Sequence, residues 1–304
     1  MPQRLKTDWQ GEESGMVQIP NLPLVMGVLN VTPDSFSDGG CHFDHEQAVA
    51  RARQMIDEGA AIIDVGPEST RPGASAVADD EQCRRAIPVI ESIRDVDADM
   101  PISIDTRSAA VADHAIRAGA TIINDVSALC DDPGMIDVAR RTNVDVILMH
   151  RRGTSRDMQE GGGPTYADVL DEVMAFLAER KAALVADGVP AERLLVDPGI
   201  GFGKRVEHNV ALLAELSALG DLGCRVVLGA SRKRFIGSLT GEEAPDECRD
   251  PARRVAGSVA CALWAARAGA YAVRVHDVRE TVDALTVWHA LEVAARGSKA
   301  GDPR

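Results

Sequence analysis

Basic residues are in deficit in this sequence, and the deficit excludes some classes of partner. Lysine and arginine number 33 among 304 residues, against 47 aspartates and glutamates, for a formal net charge of −14. A field of that sign repels the phosphates of nucleic acids and the anionic surface of membranes. We therefore expect neither nucleic acid nor membrane as a partner.

Cysteine pairs and long apolar runs are also missing. The six cysteines include no CxxC pair, and several lie among apolar residues, as free thiols do. They are Cys41, Cys83, Cys130, Cys224, Cys248 and Cys261. Charges interrupt residues 1–20, which have no apolar run of the length that a signal peptide needs. The balance of 45% hydrophobic and 26% charged residues is that of a globular protein, which we expect in the reducing cytoplasm.

What the sequence does contain is a regular alternation of short β-rich runs with longer amphipathic stretches from Leu24 onward. This alternation is typical of βα units around a parallel sheet. The predicted strands are Leu24–Val31, Ile62–Gly66, Pro101–Thr106, Thr121–Ser127, Asp145–His150, Leu194–Pro198, Arg225–Ala230 and Tyr271–His276. Eight strands close a barrel, and no GxGxxG follows the first strand, as it would in a dinucleotide-binding open sheet. We predict an α/β fold, a single (β/α)₈ TIM barrel over residues 22–297, with tails at 1–21 and 298–304.

Three segments repeat a glycine followed by alanine just before a predicted strand: DEGAAIIDV, RAGATIINDV and RAGAYAVRV. Glycine at the end of a helix commonly adopts a left-handed conformation. We therefore predict positive φ angles at Gly59, Gly119 and Gly269.

Polar residues occur at the carboxyl end of every predicted strand, where the catalytic groups of a (β/α)₈ barrel lie. They are Asn30, Asp64, Asp105, Asn124 with Asp125, His150, Asp197, Ser231, and Arg274 with His276. Any one of them is explained equally well as a helix cap. All eight ends together predict a polar, functional barrel mouth.

Two loops add to this prediction. The first, NVTPDSFSDGG, is long for a connection and is interpreted equally well as a mobile lid or as an Asx-turn leading into a helix. The second, GPESTRPGA, combines the hydroxyls of Ser69 and Thr70 with the guanidinium of Arg71 beside Pro72. That composition suits the binding of an anion.

The motifs GVLNVTPDSFSDGG, ESTRPGA, SIDTR, INDVSAL, LMH, DPGIGFGK, GASRKRF and RVHDV follow one another in this order. Together, from about Val25 to Asp277, they resemble the dihydropteroate synthase family. The resemblance implies a transferase of folate biosynthesis, a sulfonamide target that condenses 6-hydroxymethyl-7,8-dihydropterin pyrophosphate with 4-aminobenzoate. It also implies Mg²⁺ and a homodimer.

The resemblance implies a pterin pocket deep in the barrel mouth. Its residues would be Asp105, Asn124, Met149, Asp197, Phe202, Lys233 and Arg274. The carboxylates and the amide would bind the amino-pyrimidine edge, and Lys233 the carbonyl side. Arg274 would stack on the ring. For Met149 and Phe202, packing in the core is the alternative.

The resemblance also implies the other two binding sites. Those for pyrophosphate are Asn30, Thr70, Arg71, Arg274 and His276, and Asn30 would be the protein ligand of Mg²⁺. Those for 4-aminobenzoate are Phe36, Thr70, Pro72, Lys233 and Arg234. The residues implied for catalysis, by a dissociative mechanism, are Asn30, Asp34, Thr70, Arg71, Asp105, Asp197 and Lys233. For His276, a satisfied core histidine is the alternative.

Three positions depart from the family's usual pattern. Arg234 replaces a common serine, Pro67 a glycine and Arg151 a methionine. Proline restricts φ and removes a donor, so it bears on the pose of the second loop. Arg151 lies in a loop, where we expect little effect.

Two other functions compete with this interpretation. One is a pterin-binding, corrinoid-linked methyltransferase, which the motifs ESTRPG and SRK disfavour. The other is a catalytically silent paralogue, which the intact site residues disfavour. A homodimer would use the segment Val255–Ala270 with Trp264, although this face could merely cover the barrel.

Overall fold

The computed structural model describes residues 22–32, 45–69, 76–153, 164–241 and 251–299. Eight parallel strands pair in chain order, and the first pairs with the last to close a barrel. The strands are β1 (Leu24–Asn30), β2 (Ile62–Gly66), β3 (Ile102–Asp105), β4 (Ile122–Asp125), β5 (Asp145–Met149), β6 (Leu194–Asp197), β7 (Arg225–Leu228) and β8 (Ala272–Val275). The predicted (β/α)₈ fold is confirmed, and each strand differs from its predicted bounds by at most two residues at either end.

Helices cover the outside of the barrel. In the described part of the chain they are α1 (His45–Asp57), α2 (Asp79–Val96), α3 (Ala109–Arg117), α4 (Gly134–Arg141), α5 (Val169–Ala186), α6 (Val206–Ala214), α7 (Arg234–Leu239), α8 (Val255–Arg267) and α9 (Val278–Lys299). Short 3₁₀ segments lie at Ala191–Arg193, Leu216–Leu222 and Pro251–Arg254.

Local sequence explains where several helices begin and end. The side chain of Asp168 accepts hydrogen bonds from the first backbone N–H groups of α5, and that of Ser108 from Val111 N of α3. Gly59, Gly119 and Gly269 all have positive φ, as predicted. At Gly119 a β-carbon would also lie only 2.8 Å from the side chain of Arg94, so both backbone and space require glycine there.

The inside of the barrel has an apolar floor. It consists of Met26, Ile62, Ile122, Ile147, Leu195, Val227 and Ala272, all buried. Because side chains alternate between the faces of a strand, the residue two positions later faces the same way. That step leads from Ile62 to Asp64, and from Leu195 to Asp197. The floor therefore changes to a polar mouth within one step along the strands.

The predicted ends of the domain are only partly covered. Helix α9 runs through Lys299, past the predicted boundary at 297. The predicted tail 1–21 and residues 300–304 lie outside the described residues. Four cysteines are free thiols, as predicted: Cys83, Cys130, Cys224 and Cys261. Cys41 and Cys248 lie outside the described residues.

A helix must be both long and apolar to cross a membrane. Across the described ranges, no helix is both long and apolar enough to cross a membrane.

Candidate active site at the barrel mouth

Arg274 of β8 joins two carboxylates across the barrel mouth. Its Nε donates to Asp64 Oδ2 at 2.7 Å, and its second terminal nitrogen lies 2.6 Å from the same oxygen and 2.8 Å from Asp105 Oδ2. Burial acts to lower the pKa of Arg274, but Asp64 and Asp105 raise it above the ordinary value. Burial raises the pKa of Asp105, an effect that Arg274 opposes. The guanidinium is thus held as a cation between two carboxyl groups.

Asp64 is the site residue to which sequence reasoning gave no role. It is fully buried, and it accepts from Asn124 Nδ2 at 3.4 Å as well as from Arg274. It therefore fixes two of the predicted pterin residues at once. The sequence does indicate that Asp64 faces the inside of the barrel, since it lies two residues after the floor residue Ile62.

Asp197 and Lys233 form a second charged group on the opposite side of the mouth. Gly199 N donates to Asp197 Oδ1 at 2.7 Å. Lys233 Nζ donates to Ile200 O and lies 4.5 Å from the centroid of the Phe202 ring. Burial raises the pKa of Asp197, and burial lowers that of Lys233 to about 8 although Asp197 opposes this. This side of the mouth therefore carries a titratable cation.

Two inward-facing glycines leave space between these groups. A β-carbon at Gly66 would lie 3.5 Å from Asn30 Oδ1 and 4.0 Å from Asp105 Oδ2. A β-carbon at Gly229 would lie 3.5 Å from Asp197 Oδ2. A side chain at either position would therefore begin in van der Waals contact with these polar atoms.

The backbone beside Lys233 is held in a strained conformation. Arg232 has a φ of 59°, which is unusual for a residue with a side chain. Its guanidinium pairs with Asp277 through contacts of 3.0 and 2.5 Å. The ion pair ties the loop after β7 to the loop after β8, and thereby fixes the start of α7. His276, in the same β8 loop, contacts Ser231 Oγ through Nδ1 at 3.1 Å.

The chain as a whole is similar to known proteins. A model of the family described as pterin binding enzyme matches residues 26–276. The chain belongs to this family.

Within the pterin-binding family, the chain is similar to dihydropteroate synthases. That of Escherichia coli (strain K12) is 46% identical over 265 residues, which cover 87% of this chain and 90% of the relative. The structure of the Xanthomonas albilineans dihydropteroate synthase with 4-aminobenzoic acid is 50% identical, with a TM-score of 0.80 over 90% of this chain and 94% of that one. The Yersinia pestis enzyme, solved as a sulfonamide drug complex, is 42% identical, with a TM-score of 0.81 over 92% and 97%.

Most of the pterin residues implied by the family resemblance converge in the structure. Asp105, Asn124, Met149 and Asp197 lie at the carboxyl ends of adjacent strands, and all four are buried. Phe202 and Lys233 contact each other, as described above. Their binding of a pterin, and the stacking of Arg274 on its ring, stay predictions.

Two polar strand-end residues do not face the mouth, which corrects the expectation that all eight ends contribute to it. Asp125 accepts from Ser127 N at 2.7 Å and from Leu129 N at 3.1 Å. His150 packs its ring against Phe176 of α5, with the centroids 5.1 Å apart. Both follow an inward-facing residue directly, so strand alternation turns them outward.

Several predicted site residues cannot be placed. Asp34, Phe36, Thr70, Arg71 and Pro72 lie outside the described residues. For the second loop, the structure describes only the two ends. Glu68 Oε1 accepts from Val77 N at 3.0 Å, which joins those ends.

Arg151, from which we expected little, contributes to a chain of ion pairs. It pairs with Asp131, which lies 2.8 Å from Arg107; Arg107 in turn lies 3.0 Å from Glu68. These four residues follow β5, β4, β3 and β2. Arg151 therefore connects four consecutive loops of the mouth, a role that its position in a loop did not reveal.

Proposed function

We propose that this chain acts as a dihydropteroate synthase, joining 6-hydroxymethyl-7,8-dihydropterin pyrophosphate to 4-aminobenzoate with release of pyrophosphate. The observation that carries the proposal is the ring of buried polar groups above the apolar floor. Asp105, Asn124 and Asp197 lie at the carboxyl ends of β3, β4 and β6, with Lys233 and Arg274 beside them. The family relationship and the aminobenzoic acid complex of the Xanthomonas relative support it.

The ring of polar groups complements a pterin. The amino-pyrimidine edge presents N–H donors beside acceptors, so it suits carboxylates that accept and an amide that does both. Gly199 N already occupies Asp197 Oδ1, while Oδ2 faces the space above Gly229. That oxygen is the one we assign to the pterin N–H groups, with Lys233 donating to the ring carbonyl.

Two opposite fields would assist a dissociative reaction. The C–O bond to pyrophosphate breaks with both electrons leaving on oxygen, and the aminobenzoate nitrogen then bonds to the methylene carbon and loses a proton. Asp105 and Asp197, buried against the ring, would stabilise the cation that develops on the pterin. Burial raises the pKa of both groups because it disfavours their charged forms, and a cation developing on the pterin would favour their ionisation.

The leaving group would be held from several strands. We assign Asn30, Thr70, Arg71, Arg274 and His276 to the pyrophosphate. Asn30 also fits a magnesium ion, because Mg²⁺ takes few protein oxygens beside waters and phosphates, and Asn30 Oδ1 faces the space above Gly66. When bound there, the ion would neutralise charge that develops on the departing pyrophosphate.

Aminobenzoate would enter over the loops. We assign Phe36 and Pro72 to its ring, Thr70 and Lys233 to the reacting end, and Arg234 to its carboxylate. Arg234 begins the six-residue helix α7. Burial lowers its pKa, and the positive charge of Arg254 lowers it further. The two guanidinium groups make this corner favourable for an anion. Asp34, from the first loop, would shape the reaction centre.

We also propose a homodimer and a cytoplasmic location. Trp264 of α8 is 43% exposed, and Val287 and Leu291 of α9 are more than half exposed. An apolar surface of this kind suits a second copy of the chain. Light scattering on the purified protein would measure the mass. The four free thiols support a reducing compartment.

An assay of the purified protein tests the function. Pyrophosphate should be released from the pterin pyrophosphate only when 4-aminobenzoate and Mg²⁺ are present. Methyl transfer from a methylated pterin, without such release, would instead favour the methyltransferase. Pterin binding without either reaction would favour a silent paralogue.

A further inference from the structure

The turn that follows β6 lies directly on the backbone of its neighbour. Gly199 and Gly203 both have positive φ. A β-carbon at Gly199 would lie 1.8 Å from His150 O, and one at Gly203 would lie 2.1 Å from Arg152 O. No side chain separates the two loops there, so their relative position depends on polar contacts.

Lys204 contacts both loops. Its Nζ donates to Gly199 O at 3.0 Å, to Phe202 O at 3.2 Å and to His150 O at 3.3 Å, and lies 2.9 Å from Nδ1 of His150. The side chain is buried, with 6% of the residue exposed. Burying an ammonium group costs desolvation energy, so its position among carbonyls indicates a structural or functional role.

The contacts of Lys204 bracket the part of the turn that holds Lys233. Gly199 and Phe202 are also bonded to each other, since Phe202 N donates to Gly199 O at 3.1 Å. Between them, Ile200 O accepts from Lys233 Nζ, while the Phe202 ring lies under the same ammonium. Gly199 N meanwhile holds Asp197. Lys204 thus fixes both ends of the turn 199–202. The Ile200 carbonyl and the Phe202 ring of this turn orient Lys233.

We propose that Lys204 is a positioning residue, which clamps the turn 199–202 onto the end of β5 and thereby orients Lys233 and Asp197 for the pterin. This inference rests on the proposed function, because it presumes that the mouth binds a pterin. Lys204 itself does not contact the substrate.

The electrostatic surroundings agree with a structural clamp. Burial lowers the pKa of Lys204 to about 7, as does the charge of Lys233, while Asp197 opposes both. Burial lowers the pKa of His150 to about 3, so its ring is neutral and its Nδ1 is available as an acceptor. Other ionisable groups that face this cluster include Arg152 of the β5 loop, His208 of α6, and Tyr166, whose ring contacts His150. Even a neutral amine retains two N–H groups for the carbonyls.

The test compares Lys204→Met with Lys181→Met. Lys181 of α5 is a matched control, because its Nζ also donates to a backbone carbonyl, that of Leu222, at 2.5 Å. That contact lies near the start of β7, at the end of the barrel away from the mouth. Calorimetry with 6-hydroxymethyl-7,8-dihydropterin measures binding, and urea unfolding measures stability. We expect Lys204→Met to weaken pterin binding by about tenfold, within the range for residues in one hydrogen-bond network, and Lys181→Met to leave it unchanged.

A double-mutant cycle separates positioning from general loosening. In a Lys233→Met background, Lys204→Met should weaken pterin binding by less than about twofold, because coupled residues are not additive. Equal losses in both backgrounds would overturn the proposal, as would unchanged pterin binding in Lys204→Met. If that variant does not fold, Lys204→Gln, which keeps donors for two carbonyls, carries the same cycle. Wild-type protein that binds no pterin would overturn the proposed function as well, whereas wild-type binding with an unaffected variant would overturn this inference alone.

Discussion

The two sides of the barrel mouth stabilise buried positive charge in different ways. On the side of β2, β3 and β8, Arg274 lies between Asp64 and Asp105 at 2.6 to 2.8 Å. On the side of β6 and β7, Lys204 bonds mainly to carbonyl oxygens, and Lys233 to a carbonyl and an aromatic face. The arginine is paired with anions, while the lysines are solvated by dipoles.

This difference determines which charges respond to their surroundings. Paired with two carboxylates, Arg274 has a raised pKa and stays charged at any pH at which the protein folds. The pKa of Lys204 falls to about 7 and that of Lys233 to about 8 through burial. The cation on the Arg274 side is therefore fixed, while the carboxyl of Asp105, whose pKa burial raises to about 7, can change its charge there. On the other side the cations themselves can change their charge.

The largest effect should come from removing the fixed cation, Arg274. Arg274→Ala leaves Asp64 and Asp105 buried without their cation, which typically costs about 3–5 kcal/mol of stability. It should also weaken binding of a pterin without phosphates and lower turnover. Urea unfolding and calorimetry measure these effects. Arg225→Ala is the control, since Arg225 pairs with Asp145 at 2.9 Å at the other end of β7 and β5; an equal loss of pterin binding there would refute the assignment.

A second variant, Arg71→Ala, tests the pyrophosphate site separately from the pterin pocket. Arg71→Ala should lower turnover by about 10²-fold, the typical loss of one charged contact that strengthens in the transition state. Affinity for a pterin without phosphates should stay unchanged, because Arg71 is assigned to pyrophosphate alone. Steady-state kinetics beside calorimetry measures both. If Arg71→Ala and Arg274→Ala lost pterin and pyrophosphate affinity in the same proportion, the division of roles would be wrong.

The titratable side is tested by Asp197→Asn. The change keeps the shape but removes the anion, so pterin affinity and turnover should each fall, by about tenfold or more for a buried charged hydrogen bond. Stability should change little, because burial already disfavours the charged form. Normal affinity and rate in this variant would remove Asp197 from the site.

The last expected effect is a change in how stability depends on pH. The pKa of Lys204 is lowered to about 7 when folded and has its ordinary value of about 10.5 when unfolded. Between these values the unfolded chain binds more protons, so this group makes unfolding free energy rise with pH, by about 1.4 kcal/mol per unit. Lys204→Met should lose this slope. Urea unfolding from pH 6 to 9 measures the difference, and parallel curves for the two proteins would show that Lys204 does not titrate there.

Much of this arrangement could be predicted from the sequence, because it depends on local patterns. Continuous apolar runs located all eight strands, and the polar residues at their ends located the mouth. Prediction was wrong where one residue of strand alternation decides the outcome. Asp125 and His150 follow Asn124 and Met149 directly and so face outward.

The roles of Asp64 and Lys204 required the three-dimensional structure. Asp64 meets Arg274 across 210 residues of chain, and Lys204 meets His150 across 54. Side chains so far apart in sequence leave no local pattern that pairs them. Closure of the barrel between β1 and β8 brings Asp64 and Arg274 within hydrogen-bond distance, and the pairing of β5 with β6 does the same for His150 and Lys204.

Gly66 and Gly229 limit how the pocket can evolve under an inhibitor. A side chain at Gly229 would begin 3.5 Å from Asp197 Oδ2, and one at Gly66 would begin 3.5 Å from Asn30 Oδ1. Under the proposed pterin site, a bulkier residue that expelled a pterin-like drug from this space would expel the substrate ring as well. We therefore expect resistance to compounds that fill only this space to be rare, and to carry a direct loss of enzyme activity.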